Sequence, residues 1–379
     1  KDGNYYSVRF VSAFDIRGAE QWYHMNKAKN FDEFQTAVKE MKIPGLNIIY
    51  ADKENNIMFL DNGHFPRNNK NYDWWHIVPG DTSATLWTAN DYYGFDSLAK
   101  VINPKSGYVF NNNNTPFNCT AKEDNLNRNS SPLKEYYFRF NDNRSLRTGF
   151  LFANSGKISY DEFKKIKYDQ SFMDPAYNYA MTNIEDILHL DEKKYPQIKE
   201  SILLMKNWNR SCDVNNEQAA MVALVIHFVI ERLVEEGNFP ATQAKVKEWF
   251  LVKCVEDAQA HLLKHFGKLD IKLGDLQHLV RGNKELPVGG VPDVNAAMMM
   301  SKYKNGLFKA EAGETYIELV QFTKNGPIIE SISPYGANNY EGNKHYDDQM
   351  DLFVHQKCKK MSINYDEIMK DKESVYSPN

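Results

Sequence analysis

The sequence has no block of basic residues and no excess of positive charge. Its 46 lysine and arginine residues are outnumbered by 50 aspartate and glutamate residues, which gives a formal net charge of −4 at pH 7. Surfaces that bind nucleic acids or anionic membranes need clustered basic side chains. The sequence therefore predicts no nucleic-acid partner and no electrostatic attraction to a membrane.

Long apolar runs and paired cysteines are also missing. The most apolar stretch, 219–230, is interrupted by His227 and falls short of the roughly 20 apolar residues that a membrane span needs. It predicts a buried helix, and the sequence as a whole predicts no membrane span. The four cysteines are scattered without a CxxC pair, at Cys119, Cys212, Cys254 and Cys358. This pattern neither requires nor excludes an oxidising compartment.

The chain starts without the apolar segment of a signal peptide. Residues 1–4 lead directly into the aromatic and β-branched stretch 5–11 (YYSVRFV), which predicts a β-strand. A domain that opens within a strand leaves that strand open to pairing with a neighbour. We therefore expect that the protein continues upstream, and that the chain is a fragment or one piece of a processed precursor.

The first third of the chain alternates helix and strand signals. Apolar residues recur at helical spacing over 31–41, and Asn30 is placed to cap the first turn. Two apolar runs, 46–51 and 57–60, flank the polar sequence 52–56. This arrangement predicts an antiparallel hairpin.

From about Tyr160 the spacing of apolar residues becomes helical. Helices are predicted over 216–236 and 241–265, and strand-like runs return at 315–322 and 327–332. The order of sheet, helices and sheet predicts an α+β fold with a helical insertion.

Three groups of motifs, met in a fixed order, carry a resemblance to a known family. They are 22–30 (WYHMNKAKN) with 46–52 (LNIIYAD) and 63–67 (GHFPR), then 103–116 (NPKSGYVFNNNNTP), and finally 345–349 (HYDDQ), with weaker support from 288–295 (VGGVPDVN). The chain resembles the penicillin-acylase-type amidohydrolases, a family of N-terminal-nucleophile (Ntn) hydrolases that includes acyl-homoserine-lactone acylases. The matched part is the C-terminal part of the family's β subunit.

The resemblance implies a fold and an activity. The fold is part of the αββα four-layer sandwich of Ntn hydrolases, and the activity is hydrolysis of a linear amide through an acyl-enzyme. On this basis residues 1–180 form the Ntn sheet and helix layer, 181–281 a helical region, and 282–379 the strands and helix that return to the sandwich.

The family's nucleophile is a chain-terminal Ser whose own α-amine acts as the base. Such a group needs a free N-terminus on Ser, Thr or Cys. Lys1 does not meet this requirement, and the internal Ser7 and Ser12 have no adjacent α-amine. The chain alone is therefore predicted to be inactive, and its partners are expected to be the upstream Ser-bearing segment and the α subunit of the same precursor, besides a small acyl amide substrate.

The resemblance places two catalytic residues in this chain. Asn113 aligns with the Asn of the family's oxyanion hole, where a side-chain amide donates a hydrogen bond to the developing alkoxide. Arg144 aligns with the Arg that supports this Asn and the catalytic amine, with Arg147 as the rival. The structural alternatives are a plain polar loop at 111–114 and a surface arginine at 144.

Further positions are implied for the substrate and for a metal. Trp22 and Leu46 fall on positions that line the acyl pocket of relatives, although ordinary core packing explains them nearly as well. Asn112 stands where relatives often carry Trp, which would alter the pocket wall. Asp124 is a weak candidate for a structural Ca²⁺ ligand, and no other cofactor is expected. The motif 345–349 is interpreted as a structural anchor.

One helix face contains Cys254, His261 and His265, but its apolar neighbours favour packing over a metal site. The preferred function is cleavage of an acylated amide, such as a β-lactam side chain or an acyl-homoserine lactone. The alternatives are a non-catalytic acylase relative that acts as a binding or scaffold protein, supported by Asn112, and an unrelated α+β binding domain. By resemblance alone, the protein is expected to be periplasmic or secreted.

Overall fold

A computed structural model describes residue 3 and residues 5–138, 141–178, 183–236 and 245–377 of the chain, without the side chains of Ser12 and Phe14. Contacts along the backbone divide the chain into two compact units, Lys1–Asn141 and Asp142–Asn379. The boundary between these units lies within the first of the three predicted regions. The division at 180 and 281 stays a prediction.

The first unit contains two α-helices and three strands in the described residues, besides short 3₁₀ turns. They are α1 (Gly18–Lys27), α2 (Phe31–Val38), β1 (Gly45–Ala51), β2 (Ile57–Gly63) and β3 (Lys100–Ile102). The strands form one antiparallel sheet in the order β1-β2-β3. On one face Ile48, Met58 and Leu60 pack with Val38 of α2, while on the other face Phe59 and Val101 pack with Cys119.

Two local predictions in this unit are confirmed. Asn30 caps α2 by accepting a hydrogen bond from the backbone N–H of Glu33. The hairpin pairs β1 with β2 from Gly45↔Gly63 to Ala51↔Ile57. Asp52 closes its turn, because Oδ1 accepts hydrogen bonds from the N–H groups of Glu54 and Asn56, both at 2.9 Å.

The predicted strand at 5–11 is wrong. Residues 5–10 have no regular secondary structure, and Val11–Phe14 form a 3₁₀ turn. Tyr5 and Val8 are almost fully exposed. Alternating aromatic and β-branched residues form a strand only where a neighbouring strand supplies backbone partners, and no strand in the described part of the chain pairs with this segment.

The second unit contains the remaining α-helices and strands of the described residues. Its helices are α3 (Asn143–Ala153), α4 (Tyr160–Lys167), α5 (Lys199–Lys206), α6 (Ala219–Glu235), α7 (Glu248–Phe266), α8 (Leu273–Leu276), α9 (Met350–Val354) and α10 (Tyr365–Asp371). Its strands are β4 (Gln277–Arg281), β5 (Lys284–Pro287), β6 (Met298–Lys302), β7 (Phe308–Gly313), β8 (Ile317–Thr323), β9 (Gly326–Ile332) and β10 (Lys359–Met361). They form sheets in the orders β5-β4-β7-β6 and β10-β9-β8.

The helical prediction for this unit is confirmed in its main features. Helix α6 is buried over most of its length, as the apolar run 219–230 predicts, and it packs with α5 and α7 in one hydrophobic core. Helix α7 begins at Glu248 rather than at 241, because Lys247 is still extended; residues 241–244 lie outside the described part. None of the described helices is long and apolar enough to cross a membrane.

The face of α7 that contains Cys254, His261 and His265 packs against neighbouring residues. Cys254 and Leu262 are fully buried, and His261 Nε2 lies 2.8 Å from the carbonyl oxygen of Gly306. The His261 ring also contacts Phe308 of β7. Within the described residues, no three His, Cys, Asp or Glu side chains are grouped so that they could hold a metal ion. The face is therefore a packing surface.

Candidate active site

The asparagine run at 111–114 forms a loop held by its own side chains. The N–H of Asn112 donates to Oδ1 of Asn114 at 2.9 Å, and the N–H of Asn113 donates to Oδ1 of Asn111 at 3.1 Å. Asn113 has a φ of +64°, in the left-handed region that Asn tolerates better than most residues. The residue is exposed, whereas its neighbour Asn114 is buried. The loop thus presents Asn113 outward.

Asn114 attaches this loop to the rest of the first unit. Its Nδ2 group donates to the carbonyl oxygens of Thr115, at 3.0 Å, and Asn118, at 2.6 Å. Asn118 in turn donates from Nδ2 to Oδ1 of Asn141 at 2.8 Å. A buried amide that satisfies two carbonyl groups fixes the backbone around it. Asn114 is therefore the structural member of the run.

Residues on the two sides of the loop are hydrogen-bonded to each other, and one of them packs on the sheet. The N–H of Phe110 donates to the carbonyl oxygen of Cys119 at 2.8 Å, and Cys119 is fully buried against Phe59 and Val101. Burial raises the pKa of the Cys119 thiol to about 12. This thiol is therefore a neutral core group, and it is not a nucleophile at neutral pH.

Asp124 closes a turn in the same segment. One of its oxygens, Oδ2, accepts a hydrogen bond of 2.7 Å from the N–H of Ser106. This backbone hydrogen bond is the main cause that lowers the pKa of the Asp124 carboxyl, and a hydrogen bond from the Ser106 side chain is the second cause. The carboxylate thus has a structural partner, and its role as a Ca²⁺ ligand stays a prediction.

The sheet face against which Cys119 packs also includes a carboxyl group, that of Asp61 on β2. Burial raises its pKa to about 7. In the β1–β2 register it lies opposite Asn47, whose buried Oδ1 atom has no hydrogen-bond partner in the described part of the chain. Such a carboxyl group changes its charge near neutral pH.

Arg144 belongs to the second unit, at the start of α3. Asp142 caps this helix, because its Oδ1 accepts from the N–H of Ser145 at 2.8 Å. Arg144 Nη2 lies 2.9 Å from Asp142 Oδ2, and Arg144 Nε lies 3.8 Å from Asp293 Oδ1. The Asp293 side chain is fully buried, and that of Arg144 is 25% exposed. Two carboxylates thus hold one guanidinium group at the surface.

Arg147 has a different role. Its Nε and Nη2 atoms each donate to one oxygen of Asp169 at 3.0 Å. This two-pronged pair uses one full edge of the guanidinium and ties α3 to the segment after α4. Arg147 is thus fixed as a structural group.

The two predicted pocket residues lie on different elements of the first unit. Trp22 on α1 is 47% exposed. Leu46 on β1 packs partly buried against the core cluster that contains Val38 and Ile48. These positions agree with core packing for Leu46, and an acyl-pocket role for Trp22, Leu46 and Asn112 stays a prediction.

The motif 345–349 forms hydrogen bonds and ion pairs within the second unit. His345 Nδ1 lies 2.6 Å from Asp348 Oδ2, and His345 Nε2 lies 2.9 Å from Glu373 Oε1. Gln349 accepts at Oε1 from the N–H of Ser333 and donates its own N–H to the carbonyl oxygen of Tyr335. These contacts fasten the loop between β9 and α9.

Comparison with known proteins decides the family. The model of the penicillin amidase family matches residues 2–370, nearly the whole chain. The chain belongs to the penicillin amidase family. The matched region includes every predicted site residue named above, from Trp22 to Arg144.

Individual relatives are more distant. Penicillin G acylase of Escherichia coli is 36% identical over 96 residues, which is 25% of this chain and 11% of the relative. Acyl-homoserine lactone acylase PvdQ of Pseudomonas fluorescens is 20% identical over an alignment that covers 92% of this chain. The chain spans about half the length of that acylase, 48%.

A solved structure extends the comparison to the fold. The thermostable penicillin G acylase from Alcaligenes faecalis superposes with a TM-score of 0.59 at 16% identity, covering 96% of this chain and 72% of that one. The mixed α+β arrangement of helices and several sheets is therefore that of a penicillin G acylase, an Ntn fold.

Sequence reasoning missed three carboxyl groups, Asp61 in the first unit and Asp142 and Asp293 in the second. Asp142 could have been found, because an Asp directly before a helical pattern is an N-cap signal. No sequence signal pointed to Asp61, because its raised pKa comes from burial in the folded structure. Asp293 lies 149 residues from Arg144, in a motif that was noted only as weak support for the family.

Proposed function

We propose that this chain contributes the electrophilic half of an amide-hydrolase site within a complete penicillin-amidase-type enzyme. The reaction is hydrolysis of a linear acyl amide, through an acyl-enzyme, to a carboxylic acid and an amine. The observation that supports it most strongly is the loop at 111–114, which holds an exposed Asn113 on a backbone fixed by the buried Asn114.

Asn113 acts in this proposal as an oxyanion-hole donor. As the carbonyl carbon becomes tetrahedral, its oxygen gains negative charge, and the Asn113 amide donates a hydrogen bond to it. A donor that is already in place needs no reorganisation during the reaction, and removing one such donor typically costs roughly 10²–10³ in kcat. The hydrogen bonds at Asn112, Asn113 and Asn114 supply this preorganisation.

Arg144 acts as a positioning residue in this proposal. Its cationic group supports the oxyanion Asn and keeps the catalytic amine unprotonated. The pairing with Asp142 and Asp293 offsets its charge and restricts its side chain to one orientation. This restriction reduces the entropy that would otherwise be lost on each turnover.

The nucleophile is a Ser with a free α-amine, delivered by an upstream segment of the same precursor in a four-layer sandwich that includes an α subunit. We expect these 379 residues alone to be inactive, because neither Lys1 nor an internal Ser can combine nucleophile and base. Periplasmic or secreted localisation and a structural Ca²⁺ near Asp124 belong to the same proposal.

The substrate class follows from the relatives, which are named for penicillin G and for acyl-homoserine lactones. Both relatives are named as acylases. We propose that Trp22 and Leu46 line the acyl pocket and that Asn112 makes its wall more polar than a Trp would. Apolar walls select acyl chains by the area they bury.

The test compares the chain alone with the chain assembled with an upstream segment that begins, after cleavage, with a Ser whose α-amine is free. Both are assayed on chromogenic N-acyl anilides with short, long and phenylacetyl groups. Hydrolysis by the assembled protein only is the expected result. Verified cleavage without hydrolysis of any anilide would contradict the enzyme and favour the binding or scaffold protein.

A further inference from the structure

The first unit contains a cavity of about 520 Å³ that shares no lining residue with the loop at 111–114. Such a volume lies within the range of small-molecule sites. Five of its eleven lining residues are aromatic, and the others are mostly polar or charged. The lining residues are Asn68, Lys70, Tyr72, Asp73, Trp74, Trp75, Tyr93, Pro132, Lys134, Glu135 and Tyr136.

The polar atoms of two aromatic lining residues, Trp74 and Tyr136, already form hydrogen bonds within the protein. Trp74 Nε1 donates to the carbonyl oxygen of Asn69 at 2.8 Å. The Tyr136 hydroxyl donates to the carbonyl oxygen of Pro66 and accepts from the N–H of Asn68. Because these edges are occupied, what Trp74 and Tyr136 offer to a ligand is apolar ring surface.

Two acidic residues line the cavity, Asp73 and Glu135, and the carboxylate of Asp73 is already hydrogen-bonded. Asp73 accepts at Oδ1 from the N–H of Trp75 at 3.1 Å, and its Oδ2 lies 2.7 Å from His76 Nδ1. The basic groups differ. Lys70 is exposed and Lys134 is half-buried, and neither forms an ion pair with a carboxylate in the described part of the chain. Two ammonium groups thus border the cavity without an anionic partner among the described residues.

A third positive charge lies beside the same walls. The guanidinium of Arg67 lies 4.5 Å from the centroid of the Tyr93 ring, in a cation–π contact. It already occupies the position that a cationic ligand would take on that ring. Together with Lys70 and Lys134, it outnumbers the acidic lining residues Asp73 and Glu135, so the charges around the cavity favour an anion over a cation.

We propose that this cavity binds a small planar aromatic carboxylate. The arene is buried between the faces of Trp74, Trp75 and Tyr136, and the carboxylate lies toward Lys70 and Lys134. The proposal does not depend on the activity proposed above, since it concerns equilibrium binding by residues that lie away from Asn113 in sequence.

The test is calorimetric titration of the chain with 2-naphthoate, with its neutral isostere 2-naphthamide, and with a naphthyl trimethylammonium cation. We expect naphthoate to bind at least about fivefold more tightly than the amide, and this ratio to shrink at about 0.5 M salt, where charges are screened. Equal affinity for acid and amide, tighter binding of the cation, or no saturable binding would overturn the proposal.

Variants locate the site. Lys70→Gln with Lys134→Gln removes the advantage of the carboxylate over the amide, whereas Lys53→Gln leaves it unchanged; Lys53 is an exposed lysine on the β1–β2 turn. Trp75→Leu weakens both ligands by about threefold or more; because Trp75 is 60% exposed, this change does not threaten folding. If the lysine pair had no effect, or if Lys53→Gln had the same effect, the assignment would be wrong.

Discussion

The loop at 111–114 in the first unit and the Arg144 anchor in the second are built from interactions of very different range. The loop is held by hydrogen bonds between residues two to four positions apart. The anchor joins the start of α3 to Asp293, because the N–H of Asn143 donates to Asp293 Oδ2 across 150 positions of sequence. Asn143 Nδ2 also donates to the backbone oxygen of Asp293 at 2.7 Å.

This difference has a consequence for stability. Side chains that order only their own neighbours can be removed without loss of the fold around them. A buried carboxylate that satisfies a helix N-terminus and a guanidinium group is different, because its removal leaves both without compensation. We therefore expect substitutions at the anchor to act on stability, and substitutions at Asn113 to act on chemistry.

The largest effect on stability is expected at Asp293. Its φ is +74°, so Asp293→Gly removes the carboxylate without straining the backbone. We expect the free energy of unfolding to fall by roughly 3–5 kcal/mol, because Arg144 and the N–H of Asn143 lose a buried partner. Urea denaturation followed by circular dichroism measures this, and a loss below about 1 kcal/mol would contradict the long-range anchor. Asp293→Asn, which keeps the acceptor and the φ, should lose less.

The sheet of the first unit should show a pH dependence. Asp61 has a pKa raised to about 7, so the folded chain holds a proton that the unfolded chain releases near pH 4. Its stabilising contribution is complete below pH 4 and is lost as the pH rises through 7. We expect Asp61→Asn to raise the free energy of unfolding by roughly 2–4 kcal/mol at pH 8 and to leave it unchanged near pH 4. The exposed Asp81→Asn is the matched control, and equal effects of the two at pH 8 would refute the burial of Asp61.

The two neighbouring asparagines of the loop should behave differently. Asn114→Ala removes a buried amide with two carbonyl partners, and we expect a loss of roughly 1–3 kcal/mol in the free energy of unfolding. Asn113→Gly should change it by less than about 0.5 kcal/mol, because glycine adopts the same left-handed backbone. Chemical denaturation of both variants checks this, and a larger loss at Asn113 would reverse the assigned roles.

The helical core of the second unit should respond to pH in the opposite direction from Asp61. Burial lowers the pKa of His227, which faces Glu231, Lys302 and His261, and burial also lowers the pKa of His261. A depressed histidine pKa favours the neutral ring in the folded state, so stability is lost as the pH falls below about 6.5. We expect His227→Gln to flatten the decline between pH 7 and 5, as measured by thermal unfolding. An unchanged slope would exclude this histidine as the cause.

Local features of this fold could be predicted from the sequence. Asn30 as a helix cap and Asp52 in the hairpin turn were predicted because each acts on residues two to four positions away. The strand at 5–11 was wrong because pairing depends on a neighbour that the local pattern does not specify. The partnership of Arg144 with Asp293 and the raised pKa of Asp61 depend on tertiary burial, which no local pattern encodes. The order of the family motifs identified the family, although it did not reveal how its arginine is held.

The most direct test of the central proposal is the kcat of the assembled enzyme for an N-acyl anilide with Asn113→Gly, compared with the exposed control Asn90→Gly. We expect kcat to fall by roughly 10²–10³ at Asn113, with KM little changed and the folded state intact, because an oxyanion donor acts on the transition state. The control should retain full activity. An Asn113→Gly enzyme with unchanged kcat would contradict the assignment of this loop to the oxyanion hole.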